Sequence, residues 1–265
     1  MNLYTGKTAL VTGVSAGIGA AFARGCAQRG MHLILVARSE NTLRALADSL
    51  QQQHGVKVEV IVADLGQEHA AKQVYAAVQE RGLRVDMLIN NAGISTNGAF
   101  DTISADKSHQ QVMLNVTALV DLTHAFLPAM VAARAGAIIN VASTAAFFPI
   151  AQQAVYGASK AFVLSFSEAL WAENRSRGVR VLALCPGATD TEFFAAMGRD
   201  TTAPKQSAQS VVEVGLTALE RGRNYVIPGA GNFFQGAVLP RLLPRAIIAR
   251  LVARVVKNFW QPVKA

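Results

Sequence analysis

A repeated switch of hydrophobic period constrains this chain most. Short β-branched apolar runs alternate with longer segments whose apolar residues recur every three to four positions. Runs at 7–12, 31–37, 56–62, 86–90, 137–142, 179–184 and 225–227 read as strands. Segments 17–28, 40–53, 67–81, 105–133, 152–177 and 207–220 read as helices. Leu43, Leu46, Ala47 and Leu50 mark one apolar helical face, and Pro128 is expected to kink the fourth helix. Alternation at this spacing predicts an α/β fold: a doubly wound parallel sheet of about seven strands, covered by helices on both faces. The organisation expected is one domain over residues 1–227, extended by a C-terminal element over 228–265. With 265 residues and 51% of them hydrophobic, the chain can bury a sizeable core. The longest uncharged run, 135–159, contains Asn140, Ser143, Thr144, Gln152 and Gln153. It therefore reads as strand, loop and helix start rather than as a membrane span.

Charge is unevenly placed. The net charge is +8, from 25 bases and 17 acids. After Glu220 there is no acid, and eight bases follow: Arg221, Arg223, Arg241, Arg245, Arg250, Arg254, Lys257 and Lys264. The remaining 17 bases balance all 17 acids. A neutral body with a basic end is not a nucleic-acid binder's distribution, and no nucleic-acid partner is expected. The two cysteines, Cys26 and Cys185, exclude a disulfide scaffold; they read as small buried hydrophobes, a redox pair being the alternative. The five histidines show no ligand spacing, so no metal is expected. The N-terminus has no basic region followed by a long apolar stretch, and a cytoplasmic location is the expectation.

The first strand runs into Thr12-Gly13-Val14-Ser15-Ala16-Gly17-Ile18-Gly19. Glycines between a strand and a helix let the backbone approach a pyrophosphate, and the helix N-terminus offers unpaired N–H groups. Gly13, Ser15, Gly17, Ile18 and Gly19 are the candidate loop. The spacing T-G-x-x-x-G-x-G resembles the short-chain dehydrogenase/reductase family. Further stations of that family follow in order: Asp64-Leu65, Asn90-Asn91-Ala92-Gly93, Ser143, Tyr156 with Lys160, and Pro186-Gly187 before Thr189 and Thr191. The resemblance spans about residues 7 to 227. It implies a Rossmann-type fold, adenine contacts at Asp64, Leu65 and Asn91, with Ala92 and Gly93 beside them, and nicotinamide contacts at Pro186, Gly187, Thr189 and Thr191. It also implies that the chain is a homodimer or homotetramer.

The second strand ends at Ala37-Arg38. NAD-selective relatives place an acid there for the ribose 2′-hydroxyl. Arg38 instead suits a 2′-phosphate, so NADP(H) is the expected cofactor, although Ala16 stands where the family often has a second base.

Tyr156 and Lys160 are four apart on a predicted helix and share a face. A nearby ammonium favours phenolate, and the phenol can exchange a proton with a carbonyl or alcohol oxygen. Ser143 can hold the substrate oxygen. By resemblance Lys160 also bonds the nicotinamide ribose, and Asn115 has a structural and proton-relay role. A core hydrogen bond is the alternative for Asn115. Two apolar stretches, 145–150 and 192–197, either shape a substrate pocket or pack elsewhere; the second lies where the family often has a mobile lid. Their character favours a hydrophobic carbonyl or alcohol as substrate.

From Pro244 the chain repeats apolar pairs at 247/248, 251/252, 255/256 and 259/260, with Arg250, Arg254 and Lys257 on another face. This predicts an amphipathic helix that packs on its own oligomer or makes peripheral membrane contact. The leading expectation is an NADP(H)-dependent oxidoreductase. The rivals are an NAD-linked alcohol dehydrogenase and a catalytically silent cofactor-binding or membrane-docked protein.

Overall fold

The computed structural model describes residues 3–201 and 203–262; the side chains of residues 199 and 257–262 lie outside the description. Strands β1 (Thr8–Thr12), β2 (His32–Ala37), β3 (Val58–Val62), β4 (Met87–Asn90), β5 (Gly136–Val141), β6 (Val179–Leu184) and β7 (Tyr225–Val226) form one sheet. Every pairing in it is parallel, and the spatial order is β7-β6-β5-β4-β1-β2-β3.

The seven-stranded, doubly wound expectation holds. Burial explains why. Alternate residues of a strand face opposite sides of a sheet. Along β1, Ala9 and Val11 join one core while Leu10 joins the other. Along β2, Leu33 and Leu35 divide in the same way from Ile34 and Val36. The first core is covered by Phe22 of α1 (Gly17–Gln28), Leu43 and Leu50 of α2 (Glu40–His54), and Leu216 of α7 (Ala208–Glu220). The second is covered by Val74 and Val78 of α3 (Ala70–Glu80), Leu122 and Phe126 of α5 (Ala118–Ala132), and Leu170 of α6 (Ala154–Asn174).

A chain of buried polar groups crosses the sheet. Asn90 Nδ2 donates to Thr123 Oγ1 at 3.1 Å and to Asn140 Oδ1 at 2.9 Å. Asn140 Nδ2 donates to Ser167 Oγ at 2.9 Å. These bonds tie β4, β5, α5 and α6 together, and unmade polar groups at such depth are costly. They set the register between α6, which carries Tyr156 and Lys160, and β5, which leads to Ser143.

α5 continues through Pro128, and the irregular turn lies upstream, a π-turn at Met113–Thr117 between α4 (Ala105–Val112) and α5. Asn115 sits at its centre with its side chain turned into the core, where the amide bonds described below offset the widened turn.

The C-terminal extension forms short helical turns over Ala230–Phe233, Phe234–Val238 and Leu239–Leu242, then α8 (Arg245–Phe259). Two further pairings escape the sequence pattern. Thr189–Asp190 pairs with Gln206–Ser207, and Arg199–Thr201 pairs antiparallel with Trp260–Pro262. The expectation for the side chains of Lys257, Phe259 and Trp260, and for Lys264, falls outside the described residues.

Candidate active site

The strand order reverses between β1 and β4, and it is beyond the C-terminal strand ends at such a switch point that a doubly wound sheet forms its ligand crevice. Thr12 and Asn91 shape it. The Thr12 hydroxyl accepts from the Asn91 and Ala92 backbone N–H groups, both at 3.0 Å. Asn91 Nδ2 donates to the carbonyls of Thr12 at 2.9 Å and Gly13 at 3.0 Å. Its amide hydrogens thus lock the glycine loop to the loop after β4.

The glycine loop fits a pyrophosphate on two counts. Gly13 and Gly17 have φ of 68° and 57°, in the left-handed region that favours glycine. The N-terminus of α1 begins at Ala16, which supplies no side-chain cap, and its first turn carries no acid, so its N–H groups remain available to an anion. Gly19 has another reason: a Cβ there would lie 2.2 Å from the Gly13 carbonyl oxygen. Gly19→Ala is therefore expected to cost about 1–3 kcal/mol of stability by overpacking and to reduce cofactor affinity. An unchanged urea midpoint and an unchanged cofactor titration would refute the assignment. Ser15 is exposed and Ile18 half-buried against the first core.

Arg38 is exposed at the end of β2 and engages no ion pair among the described residues. The nearby acid Glu40 is occupied by Arg44 at 2.6 Å. After β3, Asp64 accepts from the Gly66 N–H at 3.1 Å, while Leu65 is buried in the second core. Leu65 therefore offers its backbone, not its side chain, to a ligand in the crevice.

Ser143 ends the β5 loop. Its hydroxyl accepts from Ala145 N at 3.1 Å and lies 3.5 Å from the Pro186 carbonyl. Pro186 O also accepts from Thr144 N at 2.9 Å, which ties this loop to the one after β6. The Tyr156 phenol is pushed up to about 12 by burial, partly opposed by its hydrogen bond with Ser143. Lys160 is buried one helical turn on, its Nζ 5.9 Å from the Tyr156 ring centroid and donating to the Val141 carbonyl at 2.7 Å. Burial pushes its ammonium down to about 8.

That depression has a sign that can be measured. Below about pH 8 both folded and unfolded chains hold the Lys160 proton. Between 8 and 10.5 the unfolded chain holds more of it, so stability gains with rising pH. Without cofactor, wild type should gain stability relative to Lys160→Met over that window. A constant difference between the two denaturation curves from pH 7 to 10.5 would contradict it.

Asn115 is buried. It accepts from Ile94 N at 2.9 Å, and its Nδ2 donates to Ile94 O at 2.9 Å and to Ser159 Oγ at 3.1 Å. This holds the loop after Gly93 against α6. Gly93 leaves room: a Cβ would stand 3.2 Å from Asn115 Oδ1 and 3.4 Å from Lys160 Nζ.

On the β6 side, Thr189 is buried and donates to the Gly187 carbonyl at 3.1 Å. The Thr191 side chain lies over Gly17, whose added Cβ would come within 2.8 Å of it. The two apolar stretches diverge. Phe147 packs on Tyr225, centroids 5.9 Å apart, and lies half-buried against the core. Phe193 lies against the Tyr156 ring at 5.7 Å. Two surface hollows of about 260 and 480 Å³ border α3 and α5; neither is lined by Ser143, Tyr156 or Lys160.

Two contributors have no signal in the sequence pattern. Gln153 is buried and donates to Ser95 Oγ at 3.0 Å and to Met197 Sδ at 3.6 Å, linking the loop after β4 to the segment after Thr191. Asn232, from the C-terminal extension, stands where a Cβ on Gly187 would go and donates to Gln206 at 3.1 Å.

A glycine loop at the C-terminal end of β1, together with Ser143, Tyr156 and Lys160 after β5, is an arrangement that can hold a dinucleotide beside a proton donor. Residues 7–202 match the short chain dehydrogenase family. The chain belongs to that family. Among its relatives, the very-long-chain 3-oxoacyl-CoA reductase of Anas platyrhynchos is 32% identical over 96% of this chain and 81% of its own. Sulfoacetaldehyde reductase 2 of Chromohalobacter salexigens is 41% identical over 69% of this chain and 73% of its own. A short-chain dehydrogenase from Sphingobium yanoikuyae, solved in complex with NADPH, superposes with a TM-score of 0.81 at 34% identity, covering 98% of each chain. Like these, the chain is an oxidoreductase of the short-chain dehydrogenase family with a site for a nicotinamide cofactor.

Proposed function

We propose that this short-chain dehydrogenase uses NADP(H) to interconvert a hydrophobic carbonyl compound and its alcohol, with Tyr156 as the general acid and base. The observation that carries the reading is the convergence of Ser143, Tyr156 and Lys160, with the Phe193 ring against that of Tyr156. The nicotinamide supplies or takes up the hydride. The protein's part is the proton and the geometry.

Ser143 donates a hydrogen bond to the substrate oxygen and fixes it near the Tyr156 phenol. A phenol pushed up to about 12 stays protonated at neutral pH, the form that gives a proton to a carbonyl oxygen. Lys160 is still mostly cationic at pH 7, and its charge eases the loss of that proton. Reduction is the direction that uses the phenol in this protonated form. Gly13, Gly17 and Gly19 would hold the pyrophosphate, Arg38 the 2′-phosphate, and Asp64 the adenine side, with Thr191 near the nicotinamide. The NADPH-bound relative supports the choice of cofactor. The unpaired Arg38 supports it independently, and so weighs against the NAD-linked alternative.

A panel of aliphatic and aromatic aldehydes, ketones and alcohols, each run with NADPH or NADP⁺ and with NADH or NAD⁺, tests the proposal. Turnover of apolar carbonyls with NADPH is expected. No turnover of any carbonyl would leave the silent-protein reading, and preference for charged or sugar substrates would refute the hydrophobic pocket.

A further inference from the structure

The apolar pairs of α8 were expected to face one partner together, but they split. Ile248 and Val256 are buried and Val252 half-buried, while Ile247, Leu251 and Val255 are 43%, 42% and 60% exposed. The exposed three stand at i, i+4 and i+8, one continuous stripe along the helix. The packing of α8 within its own chain therefore uses only one member of each pair.

The stripe is not an isolated lapse. Seven of the eleven exposed large apolar side chains among the described residues lie between 233 and 255. Scattered apolar residues need no explanation; a concentration in one segment marks an interaction surface.

Charge decides what covers it. Arg250 and Arg254 flank the stripe on the helix side away from Ile248, and Arg241 and Arg245 precede it. All four are exposed and none takes part in an ion pair among the described residues. No acid occurs in the last 45 residues to compensate them. A two-fold interface places the same patch on both sides, so a second copy would set arginines against arginines. An anionic bilayer pairs the arginines with headgroups and takes the aliphatic stripe into the acyl boundary.

We propose that the exposed face of α8 docks the protein peripherally on anionic phospholipid membranes. The surface is joined to the catalytic half of the molecule. Trp260–Pro262, directly after α8, pairs as a strand with Arg199–Thr201, and that segment follows Phe193 and Met197 at the candidate site. The helix that carries the docked face is thus linked, through the strand that follows it, to the segment downstream of Phe193. The docking itself does not rest on the catalytic reading.

Sedimentation of the full-length protein with vesicles tests the proposal. Binding is expected to vesicles of equal parts phosphatidylglycerol and phosphatidylcholine, and not to phosphatidylcholine alone. Arg250→Ala combined with Arg254→Ala should weaken it ~10–30-fold, and raising salt should weaken the wild type in the same sense. Leu251→Asp, at an exposed position, should abolish binding while the thermal melt stays as in wild type. If Leu251→Asp perturbs folding, the arginine pair decides alone.

Failure to sediment with anionic vesicles overturns the proposal, as does equal, salt-insensitive binding to neutral ones. Wild-type binding by the arginine variant overturns it too. A drop in oligomer mass for Leu251→Asp, with vesicle binding unchanged, would assign the face to a second copy. Tighter retention on duplex DNA than on vesicles would assign it to nucleic acid.

Discussion

Tyr156→Phe is expected to lower turnover by at least ~10²-fold, the scale of a lost general acid, while cofactor affinity stays unchanged. The substitution removes one oxygen and keeps the ring. The ring's contact with Phe193, 5.7 Å between centroids, survives. The hydroxyl serves the proton, and its loss leaves Ser143 with a hydrogen bond to the substrate but nothing to protonate it. Fluorescence titration of the reduced cofactor, beside steady-state rates on the best substrate found, separates the two effects. Turnover within a factor of a few of wild type would mean that a different group donates the proton. Loss of cofactor binding would mean that the phenol is structural.

The second large effect concerns cofactor choice. Arg38→Ala should weaken NADPH by roughly 10–10²-fold and leave NADH nearly untouched, because a charge-assisted contact to a phosphate contributes about 1.5–3 kcal/mol. Arg38 is exposed, which places the expectation toward the lower end through screening, and raising salt should reduce the discrimination. Arg38 is available for this contact because the nearby acid Glu40 is paired with Arg44. Tighter binding of NADH than of NADPH by the unmutated protein would reverse the cofactor assignment outright.

Much of the candidate site is legible in the sequence. The glycine loop, Asn91, Ser143, the Tyr156–Lys160 pair and Arg38 are each attached to the end of a strand or the start of a helix. Their chemistry is local: a positive φ at Gly13, a four-residue helical spacing, an arginine at the end of β2. A period-2 pattern buried on both faces also left little freedom in the sheet, since each strand had to present Leu10 to one core and Val11 to the other.

Other features were closed to the sequence because they depend on contacts between distant segments. Asn115 could be a relay or a core hydrogen bond on pattern alone; its amide pairs with Ile94, 21 residues away, across a π-turn that no local signal announces. Phe147 and Phe193 are equivalent as letters. Only packing sends one to Tyr225 and the other to Tyr156.

The tail shows the division most clearly. Its residue order alone determines that it is a basic amphipathic helix, because the spacing of aliphatic and arginine residues fixes which of them share a face. Which aliphatic residues are used up inside the chain is a property of the assembled surface. Burial of Ile248 and Val256, and the exposure of Ile247, Leu251 and Val255, follow from the angle at which α8 meets the rest of the protein. Sequence periodicity specifies faces of an element; the direction in which each face points is settled only when all the elements compete to leave water together.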